Sequence, residues 1–510
     1  MPLITPIANA LWMGSNLPFY WRFRRALGDP RRAQFLKLRK LLRENADSAF
    51  GKAHDFGNIR DYRDFVRRVP LADYDSLEPW INRIRDGEQK VLTNDAVTHL
   101  IPTSGSTGAR KLIPFTAGLQ REFNAAISAW LVDLARQFPA VLGGRAYWSI
   151  TPALGEIPSE KSAVPIGFGA DTAYLGGARE MLAASVMVAP SGLGGIKSVD
   201  EFRYQTLLCL LRCRDLRLIS IWHPSFLTLL LDELPRVWKN LLTDLGLPRH
   251  LRAADPARPE ELWPTLRVIS CWCDGAASLA LPDLRKRFPH VLIQPKGLIA
   301  TEGFVTLPFG EQRPLAVTSH FYEFIDSEGR VAPLDELRDG IEYEVVITTS
   351  GGLWRYRLGD RVLVDGFAAK TPSLRFLGRS GDVSDRFGEK LTEEFVVKSL
   401  LTVFDGRPPR FALLAPDEGQ DGCRYTLYID ISPKPLWAER IDQTLRLNPH
   451  YAYCRDLGQL LPPKIFLVSR DGFETYCRKR AANGARLGDV KSSALSRISG
   501  WSSIFAGAYV

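Results

Sequence analysis

The chain has 510 residues, 45% hydrophobic and 24% charged, and a net charge of +9 from 66 basic and 57 acidic residues. This is enough material for a large core and a smaller second domain, and seven cysteines over that length exclude a disulfide scaffold. The basic excess suits an anionic ligand as well as a solvated surface, and no nucleic-acid-binding module is present.

In chain order, residues 1–13 are apolar, but the first basic residue is Arg22, the wrong order for a secretory signal. No run reaches the length of a membrane span, so a cytoplasmic protein is expected. Phe35, Leu38 and Leu42 recur at helical spacing and predict an amphipathic helix over 31–46. A second helix is predicted over 119–136. Short buried strands are predicted at Ala146–Ile150, Leu266–Cys271 and Val291–Gln294, and a β-branched strand at Glu342–Thr349. Glu393–Leu401 reads as a helix following a cluster of Gly, Ser and Asp. Helices and strands mixed in this way predict an α/β protein. Cys271 and Cys273, like Cys209 and Cys213, lack the second pair or nearby histidine of a zinc site, so reduced thiols are expected.

The chemistry begins in Thr103-Ser104-Gly105-Ser106-Thr107-Gly108-Ala109-Arg110-Lys111. Glycines let backbone N–H groups approach a phosphate, hydroxyls donate further bonds, and the two cations offset charge. The spacing is not that of a Walker A loop, and a Ser/Gly surface turn is the other reading. Four more segments follow in order: Gly297-Leu298-Ile299-Ala300-Thr301-Glu302-Gly303, Tyr356-Arg357-Leu358-Gly359-Asp360, Gly378-Arg379-Ser380-Gly381-Asp382 and Gly488-Asp489-Val490-Lys491.

Together these segments resemble the core motifs of the adenylate-forming superfamily of acyl-CoA synthetases, luciferases and peptide-synthetase adenylation domains. More closely, the chain resembles the Gretchen Hagen (auxin-responsive promoter) family of acyl-acid amido synthetases, in a bacterial form. Leu447-Asn448-Pro449-His450-Tyr451-Ala452-Tyr453-Cys454-Arg455 is similar to that family's C-terminal domain. The resemblance implies a large N-terminal ATP- and acid-binding domain over 1–379, with β-sheets flanked by helices. A small mobile C-terminal α/β lid over 380–510 would follow, with a hinge at residues 382–385.

The implied activity is activation of a small carboxylic acid by MgATP as acyl-AMP, then transfer to an amine, an amino acid above all. A thioester-forming ligase acting on CoA or a carrier protein is the alternative, and a non-catalytic nucleotide-binding protein a further one. By the same resemblance, Ser104, Gly105, Ser106, Thr107, Gly108 and Lys111 hold the β- and γ-phosphates. Thr301 binds the α-phosphate, Glu302 contacts Mg²⁺, and Asp274, Gly275 and Ala276 flank the adenine. Tyr356 lines the adenosine site, and Asp360 accepts from the ribose hydroxyls unless it pairs with Arg357 or Arg361. Arg379 holds ribose or phosphate, or else forms a domain-interface ion pair. Lys491 swings in to neutralise charge on the α-phosphate and the acid. For the acid, His223 beside Trp222 and Phe226, and His320 beside Phe321 and Phe324, are candidate walls. Plant members carry a Tyr-x-Ser-Ser-Glu version of the 297–303 segment, and here Gly297 and the Ala300-Thr301 pair replace it.

Overall fold

Apolar runs too short for helices pair side by side and bury both faces, which is the condition for a parallel sheet. The computed structural model describes residues 4–103, 111–149, 162–167, 186–188, 198–380, 383–405, 408–419, 421–469, 471–481 and 493–510. Its first strands, β1 (Val97–Pro102) and β2 (Leu112–Thr116), form an antiparallel hairpin joined by residues 103–111. Next, β3 (Arg145–Trp148), β4 (Met187–Val188), β5 (Leu216–Ser220), β6 (Val268–Cys271) and β7 (Leu292–Pro295) make a parallel sheet in the order β4-β3-β5-β6-β7. The strands predicted at 146–150, 266–271 and 291–294 correspond to β3, β6 and β7, with residue 150 outside the described set. The helix Pro224–Asp244 turns Leu227, Leu230, Leu231 and Leu234 into the core beside this sheet, at the spacing of one helical face.

A second, antiparallel sheet follows: β8 (Phe321–Ile325), β9 (Val331–Pro333), β10 (Glu342–Thr348), β11 (Tyr356–Ala368) and β12 (Thr371–Arg379), ordered β12-β11-β10-β8-β9. The strand predicted at 342–349 is β10. A buried ion pair sets the entry to β11. Arg355 Nη2 lies 2.9 Å from Glu323 Oε1, Arg355 Nη1 donates to Val69 O at 2.7 Å, and Tyr62 Oη donates to the same carboxylate at 2.9 Å. With Arg355 held there, the backbone of Arg357 reaches Ala72 O at 2.8 Å and Tyr356 faces inward.

The helix predicted over 31–46 is α2 (Pro30–Glu44), but only Leu38 and Leu42 of the expected trio are buried. Phe35 is exposed and lies under Arg39, 5.5 Å from ring centroid to guanidinium carbon. Gln34 takes the inward position instead. Its amide donates to Val317 O and His320 O and accepts from Tyr322 N, so the face is decided by backbone groups that need a partner. The periodicity did not mark α1 (Ile4–Gly28), because its apolar residues lie on all sides, with Ile7 and Leu11 exposed. It packs along the helix Ala117–Gln137, which covers the predicted 119–136. No helix among the described residues is long and apolar enough to cross a membrane.

Beyond β12, a short pair β13 (Val383–Ser384) and β14 (Leu391–Thr392) leads into the helix Glu393–Phe404, which contains the predicted 393–401. A four-stranded sheet β15 (Ala412–Gly419), β16 (Gly422–Ile429), β17 (Leu461–Val468) and β18 (Gly507–Tyr509) completes this part. Its core includes one residue from far upstream: Leu279 is buried together with Leu391, Val396 and Leu400. Ion pairs Arg203–Glu474 at 3.1 Å and Arg410 with Asp232 and Asp283 link the same two regions. All seven cysteines are free.

Candidate active site

Among the described residues, two of the motif segments lie on the paired strands β11 and β12, and residues 297–303 stand near them through Glu302 and Tyr356. Residues 297–306 fold back on themselves: Leu298 N donates to Thr306 Oγ1 at 2.8 Å, and Ala300 and Gly303 exchange backbone bonds at 2.9 and 3.2 Å. This turn presents Thr301 and Glu302. Glu302 is buried, and its carboxylate faces the buried Tyr356 phenol. Burial first, then that negative charge, pushes the Tyr356 hydroxyl far above its ordinary range, and Arg379 opposes them. Tyr356 therefore stays neutral at any physiological pH.

Asp360 and Arg379 are register partners across β11 and β12. Asp360 is 1% exposed, and its Oδ1 lies 3.3 Å from Arg379 Nε without a hydrogen bond. The carboxylate does not pair with Arg357, which binds Glu344 at 2.8 Å, nor with Arg361, which binds Glu342. An ion pair does form, but with Arg379, because the strand register places that residue opposite. Buried carboxylate oxygens rarely lack a donor, and a pair of ribose hydroxyls would supply one. The residues present therefore fit a nucleotide.

Lys111 follows the hairpin turn, and its Nζ lies 5.6 Å from the centre of the Tyr74 ring. Tyr74, missed by motif reading, receives a bond from Leu112 N at 2.9 Å and stiffens the base of the hairpin. The loop residues Ser104, Gly105, Ser106, Thr107 and Gly108, and Lys491 with residues 381–382, lie outside the described residues.

After β6, Gly275 adopts φ +57, a left-handed conformation that glycine accepts without strain, and opens the short 3₁₀ helix Gly275–Ala280. Asp274 Oδ2 accepts from Arg313 Nη1 at 2.7 Å and Phe376 N at 3.4 Å. The oxygen expected to meet adenine is thus shared with Arg313. Ala276 packs against the cluster of the C-terminal region, so this segment reaches both parts of the molecule.

The two histidines are both buried. His223 caps the helix Pro224–Asp244: its Nδ1 accepts from Ser225 N at 3.2 Å, its ring stacks on Phe473, and burial lowers its pKa to about 4. His320 is fully buried, with Nδ1 2.9 Å from Glu122 Oε2 and Nε2 accepting from Phe304 N at 2.9 Å. Both ring nitrogens are engaged, so His320 is not a substrate wall. It anchors the turn that carries Thr301 and Glu302. Glu122 in turn meets Lys37 Nζ at 2.6 Å and the Ser350 hydroxyl at 2.6 Å. Burial alone would raise the Glu122 pKa, but Lys37 and His320 hold it down to about 2.

Gly297 is required by a close approach of the backbone. A Cβ there would meet Thr306 O at 1.9 Å. Gly297→Ala is expected to force the turn apart and cut turnover at least tenfold while ATP affinity changes less. A variant with wild-type turnover would remove this close approach from the account.

A buried carboxylate short of a hydrogen bond and a second buried carboxylate on a pinned turn suit a nucleotide and its metal, the equipment of an adenylate-forming ligase. Residues 20–248, 314–379 and 404–499 match the N-terminal, central and C-terminal domains of the GH3 family, and the chain belongs to that family. It is 27% identical to a probable indole-3-acetic acid-amido synthetase GH3.12 of Oryza sativa subsp. japonica, over 92% of each chain. It is 24% identical to the jasmonoyl–L-amino acid synthetase JAR4 of Nicotiana attenuata, over 78% of this chain and 76% of that one. In structure it is similar to the AtGH3.15 acyl acid amido synthetase in complex with 2,4-DB, with TM-score 0.81, 18% identity and coverage of 97% and 95%. It shares the fold of a 2-hydroxyisobutyryl-CoA ligase in the postadenylation state more loosely, with TM-score 0.52, 12% identity and coverage of 92% and 89%.

Proposed function

We propose that this chain joins a small carboxylic acid to an amine, an amino acid above all, at the expense of ATP, and does so in the cytoplasm. The observation that carries the reading is the buried Asp360 oxygen without a hydrogen bond, beside Arg379 and on the strand that carries Tyr356, whose phenol feels the Glu302 carboxylate. The acid's carboxylate oxygen attacks the α-phosphorus, and the bond to pyrophosphate breaks. The amine then attacks the acyl carbon, AMP leaves with the carboxyl oxygen, and the nitrogen loses a proton. Charge accumulates in the first step, so the protein's contribution is positioning and electrostatic stabilisation.

Asp360 would hold the ribose, Thr301 the α-phosphate, and Lys111 with residues 104–108 the outer phosphates. Gly275 and Ala276 would flank the base. Glu302 would hold Mg²⁺, which needs only one or two carboxylates beside phosphate oxygens and, when bound, neutralises the charge leaving on pyrophosphate.

The lid role of residues 380–510 and the part of Lys491 belong to the same proposal. Ala494, three residues past Lys491, donates to Glu393 Oε1 at 2.9 Å, and Glu393 borders Gly378 beside Arg379. This anchor ties the segment after Lys491 to the strand that carries Arg379. Lys491→Ala is expected to reduce acid-dependent pyrophosphate release by about 10²–10³-fold with ATP affinity retained. Equal turnover would remove it from the mechanism. The decisive assay is pyrophosphate release from MgATP across a panel of acids, with amino acids or CoA as acceptor. No acid raising release above background would sink the ligase reading, and CoA as sole acceptor would sink the amide reading.

A further inference from the structure

In a doubly wound sheet, ligands bind beyond the carboxyl ends of the strands where the strand order reverses. Here that point lies between β3 and β5. Trp148, Ser220, Ser270 and Gln294 are register partners across β3, β5, β6 and β7, so all four side chains share one face. Lys296 extends over this row. Its Nζ donates to Ser220 Oγ at 2.7 Å, 4.6 Å from the Trp222 ring centre and 6.0 Å from that of Trp130. Gln294 Oε1 fixes the Trp130 indole at 2.9 Å.

Lys296 is 9% exposed, and no carboxylate among the described residues pairs with it. An ammonium has three donors, and one is used. Two neighbours in the row are also unsatisfied: Ser270 Oγ and Trp148 Nε1 are buried without hydrogen-bond partners. Folded chains seldom leave an unpaired buried cation and two orphaned polar atoms together, because each desolvation is unfavourable. Burial alone lowers the Lys296 pKa to about 7, the mark of a cation lacking its anion.

We propose that Lys296 is the specificity residue of the acid subsite and that it receives a second carboxylate on the acid, opposite the one that is activated. The reacting carboxylate belongs at the Thr301 turn, five residues on. The rings of Trp130, Trp148 and Trp222 would cover the body between the two ends. The substrate class is therefore a small dicarboxylic acid with an apolar or aromatic body. This rests on the ligase reading above.

The test uses matched acids, benzoate with terephthalate and hexanoate with adipate, in acid-dependent ATP–pyrophosphate exchange by the wild type and Lys296→Met. The wild type is expected to favour the dicarboxylate of each pair by about tenfold or more in KM. Lys296→Met is expected to erase that preference by raising KM for the dicarboxylates alone, with kcat nearly unchanged. Its thermal midpoint should not fall, since it removes an unpaired buried charge. A wild type that prefers the monocarboxylates, or a variant that changes both members alike, overturns the proposal. Should no acid drive exchange, the ligase reading fails by itself. Calorimetric titration with terephthalate then decides the subsite: heat with the wild type and none with Lys296→Met supports it, and equal heats refute it.

Discussion

Glu302→Gln is expected to lower turnover at saturating ATP by about 10²–10³-fold, the scale on which losing one charge-stabilising group acts. The substitution keeps the shape of the side chain. The turn that carries it is held by the Ala300–Gly303 backbone bonds and by His320 on Phe304 N, none of which uses the Glu302 carboxylate. The loss should therefore appear in chemistry and in the Mg²⁺ titration, not in the fold. Titration of MgCl₂ at fixed ATP reads it directly: the variant should need markedly more metal. A variant with unchanged turnover and unchanged metal demand would assign Glu302 a structural part only.

Glu122→Gln should cost about 3–5 kcal/mol of unfolding free energy, as removing one member of a buried charge pair does. The carboxylate holds Lys37, His320 and Ser350 together, and neutralising it leaves Lys37 without its partner at 2.6 Å. The pH dependence has a definite sign. The folded-state pKa of Glu122 is depressed to about 2 from an ordinary 4.5, so its contribution is complete above pH 4.5 and drains away as pH falls toward 2. Urea unfolding at pH 7 and at pH 3 measures it. The gap between wild type and variant should narrow at the lower pH. A gap that stays constant would mean that Glu122 acts through packing and not through charge. Turnover should fall as well, because His320 links this cluster to the Glu302 turn.

Much of the site was legible in the chain because its parts are local. A carboxylate after Thr301, an aspartate at the end of Tyr356–Asp360 and a Ser/Gly loop before Lys111 carry their chemistry in consecutive residues. What lay beyond reach were partners set by register and by distance along the chain. Asp360 meets Arg379 because β11 and β12 pair at that level, although Arg361 is its sequence neighbour. His320, with aromatic neighbours, resembled a pocket wall until Glu122 and Phe304 N occupied both nitrogens. Lys296 offered one clue, a lysine just past a strand and just before a motif. Its significance depends on Ser220, Trp130 and Trp222, which lie at least 74 residues upstream.

By itself, then, the sequence determined the family, the α/β class and the positions of four strands, and it offered candidates for the groups that face nucleotide, because periodicity and consecutive motifs are properties of short stretches. Only the tertiary structure decided which face of α2 is buried, which cation Asp360 meets, that His320 anchors the Glu302 turn, and that a lysine with no carboxylate partner among the described residues sits at the reversal of the sheet. Each of those outcomes rests on burial, and burial is set by elements that meet only when the chain has folded.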